Sequence, residues 1–166
     1  EWNNGSTEFS WLLENLGGAL ATTIDFLSGG GYDQDLLASI GSMTFGEAEV
    51  FNAQHPGGIP ATKCGEGDYV HNGIHYYSWA GDKPSTNPLD ITDLITVGAS
   101  LFFPKGERND GLVGACASNL GMVIRNDFYM NHLDEVNQLM GIRSLLDTDP
   151  VEVFRTHANR LKQAGL

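Results

Sequence analysis

The run Gly121-Met122-Val123-Ile124-Arg125-Asn126-Asp127-Phe128, followed by Met130-Asn131-His132-Leu133-Asp134, decides how the rest of the chain is read. Met122-Val123-Ile124 is a short apolar run of strand length, so Gly121–Phe128 is predicted to be a β-strand. A histidine, His132, then follows the end of that strand. Loops at strand ends, held by a rigid support, are where chemistry is most often placed. Upstream, Asn109-Asp110-Gly111-Leu112-Val113 sets an aspartate in a tight-turn sequence beside a second apolar run.

Outward from this centre, the elements alternate between strand and helix patterns. Asp149-Pro150-Val151-Glu152 combines an N-cap, a proline at the first helical position and a capping acid, with Gly165 as the stop. Phe154, His157, Ala158 and Leu161 fall on one face of that helix. Asp68–His71 and Ile74–Trp79 flank Asn72-Gly73, a strong hairpin signal, and Tyr76-Tyr77-Ser78-Trp79 suits a strand buried on at least one face. Ile91–Phe103 reads as helix on its length. Thr44-Phe45-Gly46-Glu47 opens another helix that runs to about His55 and stops before Pro56-Gly57-Gly58. Nearer the start, Leu13, Leu16, Leu20, Ile24 and Leu27 recur at helical spacing over Phe9–Leu27, interrupted by Gly17-Gly18 and ended by Gly29-Gly30-Gly31, with a restart at Asp33. This pattern fits a core-facing amphipathic helix or a mobile lid over an apolar pocket. No repeat or low-complexity linker divides the chain, so it reads as one piece of one domain.

Composition narrows the classes of function. The chain has 166 residues, 41% of them hydrophobic and 18% charged, which suits a packed domain rather than a disordered one. Its formal charge of −12 argues against nucleic acid, which needs a basic face, and against an anionic membrane surface. The longest run free of Asp, Glu, Lys and Arg is Gly111–Ile124, too short to span a bilayer. No charged leader with an apolar run opens the chain, so an export signal is expected upstream. Cys64 and Cys116 have no metal-type spacing, and a disulfide and two free thiols stand level on sequence alone.

Asp110 and His132 are acid and base in the order, Asp then His, used by α/β-hydrolases, where the carboxylate fixes the histidine tautomer and stabilises the imidazolium. Each also has a plain structural reading: Asn-Asp-Gly is a common turn, and a lone histidine usually serves packing.

Longer runs weigh more than either motif. Phe51-Asn52-Ala53, Gly58-Ile59-Pro60, Cys64-Gly65-Glu66-Gly67, Tyr76–Trp79, Asn109–Gly114, Leu120–Arg125, Met130–Gln138 and His157–Lys162 together resemble the C-terminal part of the secreted triacylglycerol lipases of Pseudomonas and Burkholderia. The resemblance covers nearly everything from about Thr44 onward and is looser before it. It implies the C-terminal portion of an α/β-hydrolase fold, with a lid region over about 1–43 and a catalytic half over about 44–166. It also implies hydrolysis of long-chain triacylglycerol esters at a lipid interface, with Asp110 as triad acid and His132 as general base. A Cys64–Cys116 disulfide, and with it an extracellular location, follows from the same likeness. So does one structural calcium ion, held by the carboxylates of Asp90 and Asp134 and the carbonyls of Gln138 and Ile142, an all-oxygen set suited to that metal. Leu13, Leu16, Leu20 and Ile24 become lid or lipid contacts, and a lipase-specific foldase becomes an implied partner. The chain departs from the pattern in one respect: no serine here has glycine at both offsets of G-x-S-x-G. The nucleophile elbow, the oxyanion-hole loop and the first parallel strands would then belong to an N-terminal part of the same lipase. The rival readings are a calcium-stabilised piece that binds lipid or a partner without turnover, and a short-chain carboxylesterase.

Overall fold

The computed structural model describes Gly30, residues 45–138, 141–144 and 149–166. The Phe9–Leu27 pattern, the restart at Asp33 and the lid contacts Leu13, Leu16, Leu20 and Ile24 lie outside the described residues. The chain falls into two compact units, Glu1–Pro56 and Gly57–Leu166. In the first, helix α1 (Phe45–Gln54) follows the Thr44–Glu47 signal and stops ahead of Pro56, as expected.

The second unit begins its regular structure with a tight hairpin, β1 (Val70–His71) and β2 (Ile74–His75), paired antiparallel with Val70 opposite His75. Asn72 and Gly73 sit at φ 50° and 78°, the left-handed values that a two-residue turn of this twist requires. The hairpin is shorter than the sequence suggests, because the chain changes partner at Tyr76. The Tyr76 N–H donates to the Tyr69 carbonyl at 2.9 Å, while its own carbonyl accepts the Met122 N–H at 3.0 Å. What reads as one strand from Ile74 to Trp79 is therefore two. The second, β3 (Tyr77–Gly81), runs parallel to β4 (Met122–Phe128), the strand expected over Gly121–Phe128. A parallel pair needs a crossover, and this one contains helix α2 (Asp93–Ser100), the core of the helix expected over Ile91–Phe103.

Phe128 and Met130, at and just beyond the end of β4, pack with Val153 of helix α3 (Pro150–Gln163), and Trp79 lies against them. Asp149 caps α3 by accepting the Val151 N–H, and Gly165, at φ 79°, lets the last carbonyls be satisfied. The expected face of α3 is only partly covered. Phe154 meets Trp79 edge-on, with ring centroids 5.3 Å apart, and His157 lies 5.0 Å from Tyr77 and 5.1 Å from Trp79. Ala158 and much of Phe154 are exposed, and Val153 is a buried apolar side chain of the helix. No helix among the described residues is long and apolar enough to cross a membrane.

Cys64 and Cys116 form a disulfide, with Cα atoms 4.4 Å apart across a separation of 52 residues. Hydrogen bonds alongside it fasten the same two loops: Gly67 N–H to Gly121 O at 3.0 Å, Gly121 N–H to Gly58 O at 2.7 Å and Asn119 Nδ2 to Gly65 O at 3.0 Å. The bond closes a long loop around the whole β3–α2 crossover, so its removal frees much unfolded-state entropy. A Cys64→Ser/Cys116→Ser variant is expected to lose about 4 kcal/mol of unfolding free energy by the loop-entropy relation. Urea denaturation of the two proteins side by side measures it.

Candidate active site

The loop after β4 and the Asn109–Gly114 turn meet through backbone and side chain together. Asn109 and Gly114 face each other in a single antiparallel bridge, and the Asp110 N–H donates to the Val113 carbonyl at 3.1 Å. Gly111, at φ 103°, lies so close to Thr96 of α2 that any side chain there would collide with it. The turn is thereby pressed onto the crossover helix. Asp110 Oδ1 accepts the N–H groups of Leu112 at 2.8 Å and Val113 at 2.6 Å, which leaves Oδ2 to point outward.

Oδ2 lies 2.7 Å from Nδ1 of His132, and the His132 N–H donates to the Asp110 carbonyl at 3.0 Å. Asp110 is 1% exposed, whereas the imidazole keeps 39% of its side-chain surface. No described residue bonds Nε2. The hydrogen bond to Asp110 raises the His132 pKa against the opposing effect of burial, with the charges of Asp110 and Glu135 adding to the rise. Nδ1 is thus engaged by the carboxylate, and Nε2 has no partner among the described residues.

Glu135 is the member that sequence reasoning missed. Its Oε1 accepts the Gly81 N–H at the end of β3, at 2.5 Å. One donor atom each from Asp110, His132 and Glu135 lies within 4.8 Å of the others. These are donor types a metal could use; in this structure Nδ1 is engaged by Asp110 and Oε1 by Gly81. Burial pushes the Glu135 carboxyl up to about 7, helped by the charge of Asp110 and a hydrogen bond shared with it, and opposed by the Gly81 N–H and by His132. The available signal was spacing: Glu135 stands three residues after His132, in the short 3-10 turn Asp134–Val136 that follows it.

A second group of carboxylates lies behind this one. Asp90, Asp93 and Asp134 are all buried. Asp90 Oδ1 accepts from the N–H and hydroxyl of Thr92, at 2.8 and 2.6 Å. Asp134 Oδ2 accepts from the Thr86 hydroxyl at 2.7 Å and the Asn131 N–H at 3.2 Å, but its Oδ1 is buried with no partner. Burial raises the Asp134 pKa, and the charges of Asp90 and Asp93 add to it. The Gln138 N–H donates to Leu133 O at 3.1 Å, which keeps that residue beside the Asp134 turn. Ile142 is half-buried, next to Arg143, whose carbonyl accepts Asn87 Nδ2 at 2.8 Å from the Asp90 loop. Asp93 was also missed; at the head of α2 it reads as an ordinary helix-start acid.

No protein-family model matches the chain. Curated relatives do match it, several of them described as triacylglycerol lipases. A triacylglycerol lipase of Vibrio cholerae is 52% identical over 148 residues, which is 89% of this chain and 47% of the relative. Triacylglycerol lipases of Pseudomonas fragi, 39% identical over 80% of this chain, and Burkholderia plantarii, 35% identical over 81%, are covered to 47% and 46% of their own lengths. The chain spans about half the length of the curated relatives it matches.

The raised pKa of Glu135 has a direct consequence for stability. A carboxyl raised on folding adds stability that is complete below its unfolded value of 4.5 and is lost as pH climbs towards about 7. His132, raised by Asp110, acts with the same sign at somewhat higher pH. In chelator, the chain is therefore expected to melt at a higher temperature at pH 5 than at pH 8. Glu135→Gln should shrink that difference, and thermal melts of both proteins at the two values check it.

Proposed function

We propose, from its similarity to the bacterial triacylglycerol lipases, that this chain is the acid–base half of a serine lipase of α/β-hydrolase fold, acting on long-chain acylglycerols at a lipid interface. The observation that carries the reading is the Asp110–His132 pair: a buried carboxylate, pinned by two backbone N–H groups, fixes a partly exposed imidazole through Nδ1 at 2.7 Å. Nε2 then accepts the proton of an attacking serine hydroxyl and returns it to the departing alkoxide, while Asp110 stabilises the imidazolium between the two events. The serine comes from an N-terminal part of the same lipase, since no G-x-S-x-G stands in these 166 residues. Residues 1–166 are read as the C-terminal part of one hydrolase domain, with a lid in the first 43 and Leu13, Leu16, Leu20 and Ile24 on its lipid side. Secretion and a dedicated foldase belong to the same reading.

The carboxylates behind His132 suit calcium. Buried Asp134 Oδ1 has no partner, Asp90 and Asp93 raise its pKa, and a divalent cation would satisfy the one and neutralise the others. Asp90 and Asp134, with the carbonyls of Gln138 and Ile142, would hold it. When bound, the ion supplies structural charge neutralisation close in sequence to the histidine. The residues of the chain itself do the rest: Asp134 anchors the turn two residues beyond His132, and the Asp110 carbonyl anchors its start.

Two measurements test the proposal. The purified chain should release p-nitrophenol from its esters no faster than a control protein, because removal of the nucleophile leaves little catalysis. Joined to the N-terminal part of the Vibrio cholerae relative it should turn over, and His132→Ala in that protein should cut kcat by a factor on the order of 10⁴ or more. Turnover by the chain alone that depends on His132 would refute the division of labour. Saturating calcium at 100 times its Kd should stabilise the chain by about 2.7 kcal/mol, and Asp134→Ala should abolish the gain. Calcium and chelator melts compare the two.

A further inference from the structure

The residue before His132 is wholly buried, polar and bonded at every atom that can bond. Asn131 is 0% exposed. Its Oδ1 accepts the N–H groups of Leu133 and Asp134, each at 2.8 Å, and its own N–H donates to Asp134 Oδ2 at 3.2 Å. Those exchanges form a capping box around His132 and Leu133, with Asn131 and Asp134 at its ends. The box has an orientation because Asn131 Nδ2 donates to Asp93 Oδ1 at 2.8 Å. Asp93 is itself fully engaged, since Oδ2 accepts from the Thr86 N–H at 2.8 Å, the Asn87 N–H at 2.9 Å and the Ser85 hydroxyl at 3.0 Å. A 180° flip of the Asn131 amide would aim its NH₂ at two backbone donors and its oxygen at a carboxylate. The buried aspartate therefore permits only one orientation of the amide.

We infer that Asn131, oriented by Asp93, is the positioning residue that sets the His132 imidazole against Asp110 and the Asp134 carboxylate toward its cation with one set of hydrogen bonds. The inference deepens the proposed acid–base role of His132 and rests on it. Both functional side chains hang from the four-residue box, so its rigidity is transmitted to each. Outer partners of this kind fix ligands and bases that they do not replace.

Donor–acceptor complementarity supplies the test. Asp93→Asn leaves an NH₂ group facing either Asn131 Nδ2 or the Thr86 and Asn87 amides, and Asn131→Asp sets two carboxylates together. The double variant Asp93→Asn/Asn131→Asp restores every donor to an acceptor, now with the charge on residue 131. His132 is followed in the ¹⁵N-histidine-labelled chain through the imidazole nitrogen shifts, which distinguish the Nδ1–H from the Nε2–H tautomer. Calcium affinity is measured by calorimetry with calcium alone. The unsubstituted chain should show the Nδ1–H tautomer. Each single variant should mix the tautomers and weaken calcium by roughly 10–100-fold, and the double variant should recover both. Single variants that lower the melting temperature but keep the tautomer and the calcium affinity would overturn the inference, as would a double variant no better than either single one. If the single variants do not fold, the double variant decides: folded with the Nδ1–H tautomer supports the inference, unfolded overturns it. An unsubstituted chain lacking the Nδ1–H tautomer would instead overturn the acid–base reading, and this inference with it. If that chain shows the tautomer but binds no calcium, the calcium assignment fails and the tautomer alone decides.

Discussion

A carboxylate withdrawn from water costs several kcal/mol unless its lone pairs meet donors or a cation, and this unit withdraws five of them: Asp82, Asp90, Asp93, Asp110 and Asp134. Apolar burial here is slight by comparison, with Ala80, Ala115, Phe128, Met130 and Val153 as its core among the described residues. Polar satisfaction, more than oil-like packing, dictates the path of the loops. Asp110 draws the turn of residues 110–113 around itself, Asp93 gathers residues 85–87, and Asp134 closes the box with Asn131. Each carboxylate organises backbone N–H groups that would otherwise need partners of their own. Among these carboxylates, Asp134 Oδ1 is a buried oxygen left without a partner, and it is where the proposed cation would sit.

The parallel pair turns these local solutions into a site. β3 and β4 end on the same side, and the chain beyond each end bonds to the other: Asp82 N–H to Phe128 O at 3.1 Å, and Lys83 N–H to Met130 O at 3.3 Å. Side chains beyond the carboxyl ends of parallel strands converge, which is where open α/β sheets place their chemistry. Gly81 contributes by having no side chain, because a Cβ there would strike the Met130 carbonyl. Its N–H is free to reach Glu135, so the end of β3 holds the segment that follows His132. Buried networks of this type strengthen one another when complete and are costly when one member is lost.

Much of this was legible before the structure, and what was legible had local causes. The α3 cap, the Asn72-Gly73 turn and the β4 run follow from short-range sterics and hydrogen bonding, and each stands where its residues place it. The break at Tyr76 did not show, because it depends on Met122, far along the chain, competing for one carbonyl. Asp110 and His132 were singled out from turn chemistry, strand position and likeness to a family. Asp93, Asn131 and Glu135 were not, since an acid at a helix start and a polar residue in a loop look the same whether solvated or buried. Their significance is tertiary: it arises when residues 38 and 54 positions away supply the partner. The burial of Val153 beside the exposed Ala158 has a related cause, as helical spacing defines a face but not which edge of that face meets the core.

The central claim is that His132 serves as the base for a serine that these residues do not contain. The most direct measurement is the site and rate of labelling by a fluorophosphonate ester in the enzyme formed by joining the N-terminal part of the Vibrio cholerae relative to this chain. Such probes react only with a serine activated by its base, and peptide mass spectrometry locates the adduct. The account predicts one adduct, on a serine outside the 166 residues, with labelling that collapses in His132→Ala and falls in Asp110→Asn. An adduct on a serine within the 166 residues, or labelling indifferent to His132, would contradict it.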